Sequence, residues 1–110
     1  MLSQKLIAND ISPALPSDSG MNAMSLMDEF KVSHLPIVEK GHLLGLISED
    51  DIWGMHNQEK AINTILHQLK LVFVTFEHDV FEIVKIVNEN DLTLIPVVDN
   101  NRYVGAISVR

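Results

Sequence analysis

Cysteine is absent from the 110-residue chain, which excludes disulfides and thiol chemistry and fits a reducing compartment. Aromatic residues are few: one Trp, one Tyr and four Phe. The core must therefore rest on Ile, Leu, Val, Met and Phe. Positive charge is also scarce, with eight Lys and Arg against fifteen Asp and Glu and a formal net charge of −7. A broad nucleic-acid footprint needs a basic surface and is not expected. A smaller anion can still bind where helix termini and a few local groups create positive potential. No apolar run reaches transmembrane length and no secretory apolar segment stands at the N-terminus, so the expectation is a cytoplasmic protein with no membrane partner. A Gly-rich phosphate loop, a nucleophile elbow and a recognisable catalytic triad are all missing, so no enzyme is expected.

What is present is a repeat. Residues 33–48 return without a gap as residues 93–108, and Pro36, Val38, Gly45, Ile47 and Ser48 recur as Pro96, Val98, Gly105, Ile107 and Ser108. Most other positions keep their character. Such self-similarity means two copies of one supersecondary unit. The division falls at residues 1–57 and 58–110. A unit of about 55 residues rarely holds a sufficient core alone, so the copies should pack together as one domain.

Each copy reads as helix, short strand, helix, two strands and a further helix start. Leu2 and Leu6 begin a leading helical stretch, matched by the stripe Ile62, Ile65, Leu66 and Leu69. Short strands follow near Ser12–Leu15, where Pro13 and Pro16 favour an edge, and near Leu71–Phe76. Middle helices run from about Asp18 to Phe30 and from Val80 to Asn90. Asp79 and Glu82 form a capping box for the second, whose apolar residues cover most of its circumference and predict deep burial. Hairpins should turn at Glu39–His42 and Asp99–Arg102. A helix should start at Glu49 and end near Gly54. The equivalent helix of the second copy lies past Arg110, so that copy reads as lacking its last helix. The expectation is a fragment, with a further domain possible beyond residue 110.

These units resemble CBS domains, the small β-α-β-β-α modules that occur as tandem pairs (Bateman modules). The match is carried by Leu35-Pro36-Ile37-Val38-Glu39 and Ile95-Pro96-Val97-Val98-Asp99, by the Gly-hydrophobic-hydrophobic-Ser that follows each, and by Ser48-Glu49-Asp50-Asp51-Ile52. The resemblance implies an α/β (α+β) fold with two repeats related by pseudo-twofold symmetry. It implies a regulatory module that binds AMP, ADP, ATP or S-adenosylmethionine between the repeats and controls an attached or partner protein. It also implies a homodimer. No cofactor beyond that regulatory ligand is expected, and Mg²⁺ only together with nucleotide phosphates.

Ser48 and Asp51 lead the candidate residues. If Ser48 closes a strand and opens a helix, its hydroxyl and the first-turn N–H groups face outward together, where a phosphate meets the positive end of the helix dipole. By resemblance Asp51 binds the ribose hydroxyls and Ser48 a phosphate. An ordinary capping box explains the same two residues, and both roles can coexist. His34, beside Ser33, can donate to a phosphate or be a surface histidine at a strand start. Leu46, Val72, Leu92 and Thr93 are expected to complete this cleft, or else to pack in the core. A second cleft would use Ser108, Leu94, Ser12 and Val32, with Thr93 and Ser33. Leu94 stands where the first copy has His34, so the two clefts cannot be equivalent.

Glu49-Asp50-Asp51 reads as a solvated helix start before it reads as a metal site. Met21, Met24 and Met27 read as core, and His56, His67 and His78 do not share one helix. No metal site is expected. The alternative to a sensor is a structural homodimerisation module with degenerate, ligand-free clefts.

Overall fold

The tips of two hairpins set the register of everything around them. Lys40 and Gly41 both have positive φ, 54° and 83°, as do Asn100 and Asn101, 51° and 65°. Two consecutive left-handed residues make the tight turn whose twist matches that of antiparallel strands. The first turn joins β1 (His34–Glu39) to β2 (His42–Ser48), and the second joins β3 (Leu94–Asp99) to β4 (Arg102–Ser108). The computed structural model describes residues 7 and 11–109. The leading helix expected around Leu2 and Leu6, and the chain end at Arg110, lie outside the described residues.

Each hairpin is extended on its first strand by one short parallel bridge. Ala14 lies parallel to Ile37 and Val74 parallel to Val97. The bonds are the same in both copies: Ala14 N–H to Pro36 O at 2.9 Å and Val38 N–H to Ala14 O at 3.0 Å, matched by Val74 N–H to Pro96 O at 2.9 Å and Val98 N–H to Val74 O at 2.9 Å. The expected short strands therefore shrink to single bridges. Pro36 and Pro96 have no N–H to give, so pairing on this edge is confined to the proline carbonyl and the N–H two residues further on. Both prolines are fully buried, and their matching surroundings express the approximate dyad.

The middle helices pack on these sheets. α1 spans Gly20–Phe30, with the Ser19 hydroxyl accepting from the Asn22 N–H and with Ala23 and Met27 buried. It starts two residues later than the sequence indicated. Both it and its counterpart end on a left-handed residue that is not glycine: Lys31 at φ 59° and Asp91 at φ 57°. In each case the next residue closes the cap, Val32 N–H to Met27 O and Leu92 N–H to Val87 O at 3.0 Å, and drops its side chain into the core.

Glu49–Trp53 forms the short helix α2, with Gly54 as its C-cap. The stripe starting at Ile62 folds as a 3₁₀ helix, Ile62–Gln68, rather than an α-helix. The segment between them runs along the start of α1, where Gly20 N–H donates to Lys60 O at 3.2 Å and Met21 N–H to Gln58 O at 2.9 Å.

α3 (Val80–Asn90) has the expected capping box between Asp79 and Glu82. Its deep burial does not hold. Ile83 is buried, but Val80 is 54% exposed, Phe81 85% and Val84 50%. Only one flank of α3 meets the core, and Val80 and Phe81 occupy the positions that Gly20 and Met21 fill in the first copy, where the 58–60 segment covers the backbone. A single buried cluster runs through both copies, from Ala14 and Leu35 to Leu94 and Ile107. The radius of gyration is 13.2 Å, the size of one domain of about this length.

Candidate functional site

The copies meet across their hairpins. Leu46 N–H of β2 donates to Lys70 O at 2.8 Å, which pulls the chain leaving the 3₁₀ helix against the first copy. Gly45 permits this approach: a Cβ there would lie 3.1 Å from Leu69 Cβ. A cleft of about 520 Å³ opens beside this seam. Its walls are Ser33, His34, Leu46, Ser48, Glu49, Asp50, Asp51 and Trp53 from the first copy, and Gln68, Lys70, Asn90, Asp91 and Leu92 from the second.

Six of the eight residues named from sequence for this cleft line it: Ser33, His34, Leu46, Ser48, Asp51 and Leu92. Val72 does not, because it packs half-buried against the core. Thr93 stands behind the wall and holds it. Its hydroxyl accepts from the Ser33 N–H at 3.0 Å and lies 3.0 Å from His34 Nδ1, while its own N–H donates to that nitrogen at 3.3 Å. Nδ1 is thus an acceptor, which assigns the proton of the neutral imidazole to Nε2. Burial holds the His34 pKa below its ordinary 6.5. The Asp51 carboxylate pulls upward, the Lys70 ammonium pushes down again, and Asp91 and Glu49 do not reverse the outcome.

Ser48 and Asp51 form a reciprocal capping box. The Asp51 N–H donates to Ser48 Oγ at 3.1 Å and the Ser48 N–H to Asp51 Oδ2 at 2.9 Å. The Glu49 N–H donates to Ser33 O at 3.1 Å. Of the phosphate donors expected from sequence, the N–H groups of Ser48, Glu49 and Asp51 are thus engaged within the protein, on a helix of only five residues. Asp51 still borders the cleft, and its second carboxylate oxygen is not part of the capping box.

The second cleft fares differently. Val32 borders a shallow depression of about 310 Å³ with Met24, Met27, Asp28, Lys31 and Glu49. Leu94 is fully buried and cannot reach a ligand, and Ser12 and Ser108 lie exposed away from that depression. Leu94 and Ser108 stand opposite each other as register partners of β3 and β4, while Val32 lines the depression and Ser12 borders neither it nor the larger cleft. Among the described residues no three His, Asp or Glu side chains gather as a metal site.

Sequence reasoning missed Glu49, Asp50, Trp53, Gln68, Lys70, Asn90 and Asp91 as wall residues. A signal existed for Trp53: the chain's one tryptophan sits two positions past Asp51 and is 64% exposed. Lys70, Asn90 and Asp91 reach the site only through the packing of one copy on the other.

Comparison with known proteins agrees with this architecture. The CBS domain family model matches residues 7–52 and again residues 64–110. An uncharacterized protein of Methanocaldococcus jannaschii is 31% identical over 88 residues, which cover 79% of this chain and 33% of that protein. The chain thus spans a third of that relative's length. A CBS domain pair/ACT domain protein of Thermotoga maritima superposes with a TM-score of 0.81 at 19% identity, covering 99% of this chain and 90% of that one. CBSX2, crystallised in complex with AMP, superposes with a TM-score of 0.76 at 20% identity over 94% of this chain and 87% of its own.

Proposed function

The chain belongs to the CBS domain family as a tandem pair, and on that premise we propose that its inter-copy cleft binds an adenosyl ligand and that occupancy regulates a partner or attached protein in the cytoplasm. The observation that carries this reading is the convergence of Ser48 and Asp51 with Lys70, Asn90, Asp91 and Leu92 on one cleft of about 520 Å³. Small-molecule sites are commonly about 300–1,000 Å³. Leu46 and Leu92 offer apolar surface to a purine, and the Asp51 carboxylate can accept from ribose hydroxyls. The similarity to CBSX2, which was crystallised with AMP, supports the same ligand class.

A ligand touching both copies stabilises one relative arrangement of them, and it shifts an equilibrium only by its differential affinity for two states. His34 and Thr93 couple the halves at the cleft wall, so ordering there reaches both hairpins.

Calorimetry with adenosine, AMP, ADP, ATP and S-adenosylmethionine tests the proposal. Binding below millimolar that Asp51→Ala weakens supports it; no binding by any adenosyl compound overturns it.

One observation favours a second reading, a homodimerisation module with ligand-free clefts: the exposed flank of Val80, Phe81 and Val84 on α3. That reading expects a dimer in light scattering that Phe81→Ser weakens, and a melting temperature indifferent to adenosyl compounds.

A further inference from the structure

The two copies are joined at a side chain whose bonding depends on its proton. His34 of the first copy turns Nδ1 to Thr93 of the second, with the hydroxyl at 3.0 Å and the backbone N–H at 3.3 Å. The same hydroxyl accepts from the Ser33 N–H at 3.0 Å. The approximate dyad supplies no second such contact, because Leu94 stands in the place of His34 and is buried.

Only the neutral imidazole suits this arrangement. An imidazolium carries a proton on both nitrogens and accepts at neither. The Thr93 hydroxyl can rotate and accept instead, but the Thr93 backbone N–H cannot turn and would face the new Nδ1–H. Burial disfavours the charged ring and outweighs the carboxylates around it, so the His34 pKa lies below 6.5. The charged groups that face it are Asp51 and Glu49 of α2, Lys70 of the chain leaving the 3₁₀ helix, and Asp91 at the end of α3. Asp50 borders the same cleft. A ring released from Thr93 into the cleft meets water and those carboxylates, and there it takes a proton more readily. The proton thus has different affinities for the fastened and the released state, which is what a population shift requires.

We propose that His34 is a proton-operated clasp: neutral, it fastens the first copy to Thr93 of the second; protonated, it lets go of Thr93, turns toward the carboxylates at the start of α2, and loosens the wall of the cleft. The clasp works whichever ligand the cleft takes, and it is read without one.

Imidazole nitrogen and amide-exchange NMR on the full chain test it. At pH 7.5 the His34 ring should carry its proton on Nε2. Between pH 7.5 and 5, its protonation should lower the amide protection of Ser33 and Thr93, corrected for intrinsic exchange, by about fivefold or more. The Val98 N–H, bonded to Val74 O within the second copy, should keep its protection, which separates release of the clasp from general unfolding. His34→Asn should abolish the pH dependence at Ser33 and Thr93. Thr93→Ser should behave as wild type, whereas Thr93→Val should let His34 titrate closer to 6.5. A proton on Nδ1 at pH 7.5, a His34 that stays neutral down to pH 5, titration that leaves Ser33 and Thr93 equally protected, or the same loss of protection in His34→Asn overturns the proposal.

Discussion

Thr93 holds the imidazole of His34 from the opposite copy, hydroxyl to Nδ1 at 3.0 Å and N–H to Nδ1 at 3.3 Å. The position equivalent to Thr93 in the first copy is Ser33, and its N–H is bonded to the same Thr93 hydroxyl. The dyad is therefore broken where the two halves touch: one residue of the second copy fastens two of the first. Leu94, which stands in place of His34, is buried instead.

A pH dependence follows. Unfolded His34 takes up its proton near 6.5, whereas the folded residue, held down by burial, does so only at lower pH. Between those values the unfolded chain binds more protons, so stability falls as pH drops below 6.5 and levels off below the folded pKa. The chain carries four other histidines, which makes the difference between wild type and His34→Asn the useful quantity. Asn retains an acceptor for the Thr93 N–H but does not titrate. Urea unfolding at several values between pH 7.5 and 5 should show the wild type losing more stability than the variant across this range.

Asp51 should have two separable roles. Asp51→Ala deletes the capping box and should cost about 1 kcal/mol of stability, read by urea melts without ligand. Asp51→Asn keeps an oxygen for the Ser48 N–H and should retain most of that stability. It removes the charge-assisted bond to ribose, so affinity for an adenosyl ligand should fall by about tenfold or more. An Asn variant that bound as tightly as wild type would confine Asp51 to the cap.

The hairpins were readable from sequence because polar turn residues separate β-branched runs, with Gly41, Asn100 and Asn101 suited to the positive φ that the turns need; Lys40 adopts it without that preference. The capping boxes at Ser48 and Asp79 were readable for a similar reason, since their chemistry is complete within four residues. Other features depend on contacts that local pattern does not carry. The stripe of Ile62, Ile65, Leu66 and Leu69 suits an α-helix, yet the chain folds there into a 3₁₀ helix that leads to the seam at Lys70. Phe81 and Val84 look like core by composition, but α3 touches its neighbours along one flank. Lys70 and Asp91 are polar residues at an element's end, unremarkable until the second copy presses them against the first.

Tyr103 is a half-buried residue of β4 whose hydroxyl is buried with no hydrogen-bond partner among the described residues, and burial pushes its pKa up to about 12. A buried, unsatisfied hydroxyl costs about 1–3 kcal/mol. Tyr103→Phe should therefore be neutral or stabilising by up to about 1 kcal/mol in urea unfolding, despite losing a polar group. Above pH 10 the unfolded phenol ionises before the folded one, so wild-type stability should decline from pH 10 to about 12. The Phe variant should lack that part of the decline. A marked loss of stability in Tyr103→Phe at neutral pH would show that the hydroxyl has a partner in solution.

Gly45 and Gly54 provide a paired test of the seam. A side chain at Gly45 would start 3.1 Å from Leu69 Cβ and 3.5 Å from Lys70 O, beside the 2.8 Å bond from Leu46 N–H to Lys70 O. Val at this position must push the two copies apart or distort β2, and overpacking of this kind costs about 1–3 kcal/mol. Because Leu46 and Lys70 both border the cleft, the same substitution should weaken adenosyl binding. Gly54 is different. It caps α2 at φ −78° in ordinary right-handed space, and its nearest potential contact is Asp50 O at 3.4 Å. Gly54→Ala should be neutral or stabilising by about 0.4–1 kcal/mol through the unfolded chain. Urea midpoints measured side by side should separate the two variants, with Gly45→Val below wild type and Gly54→Ala at or above it. If Gly45→Val matched Gly54→Ala, the copies would not be held in close contact at Leu69 and Lys70, and a cleft whose shape depends on that contact would lose its physical basis.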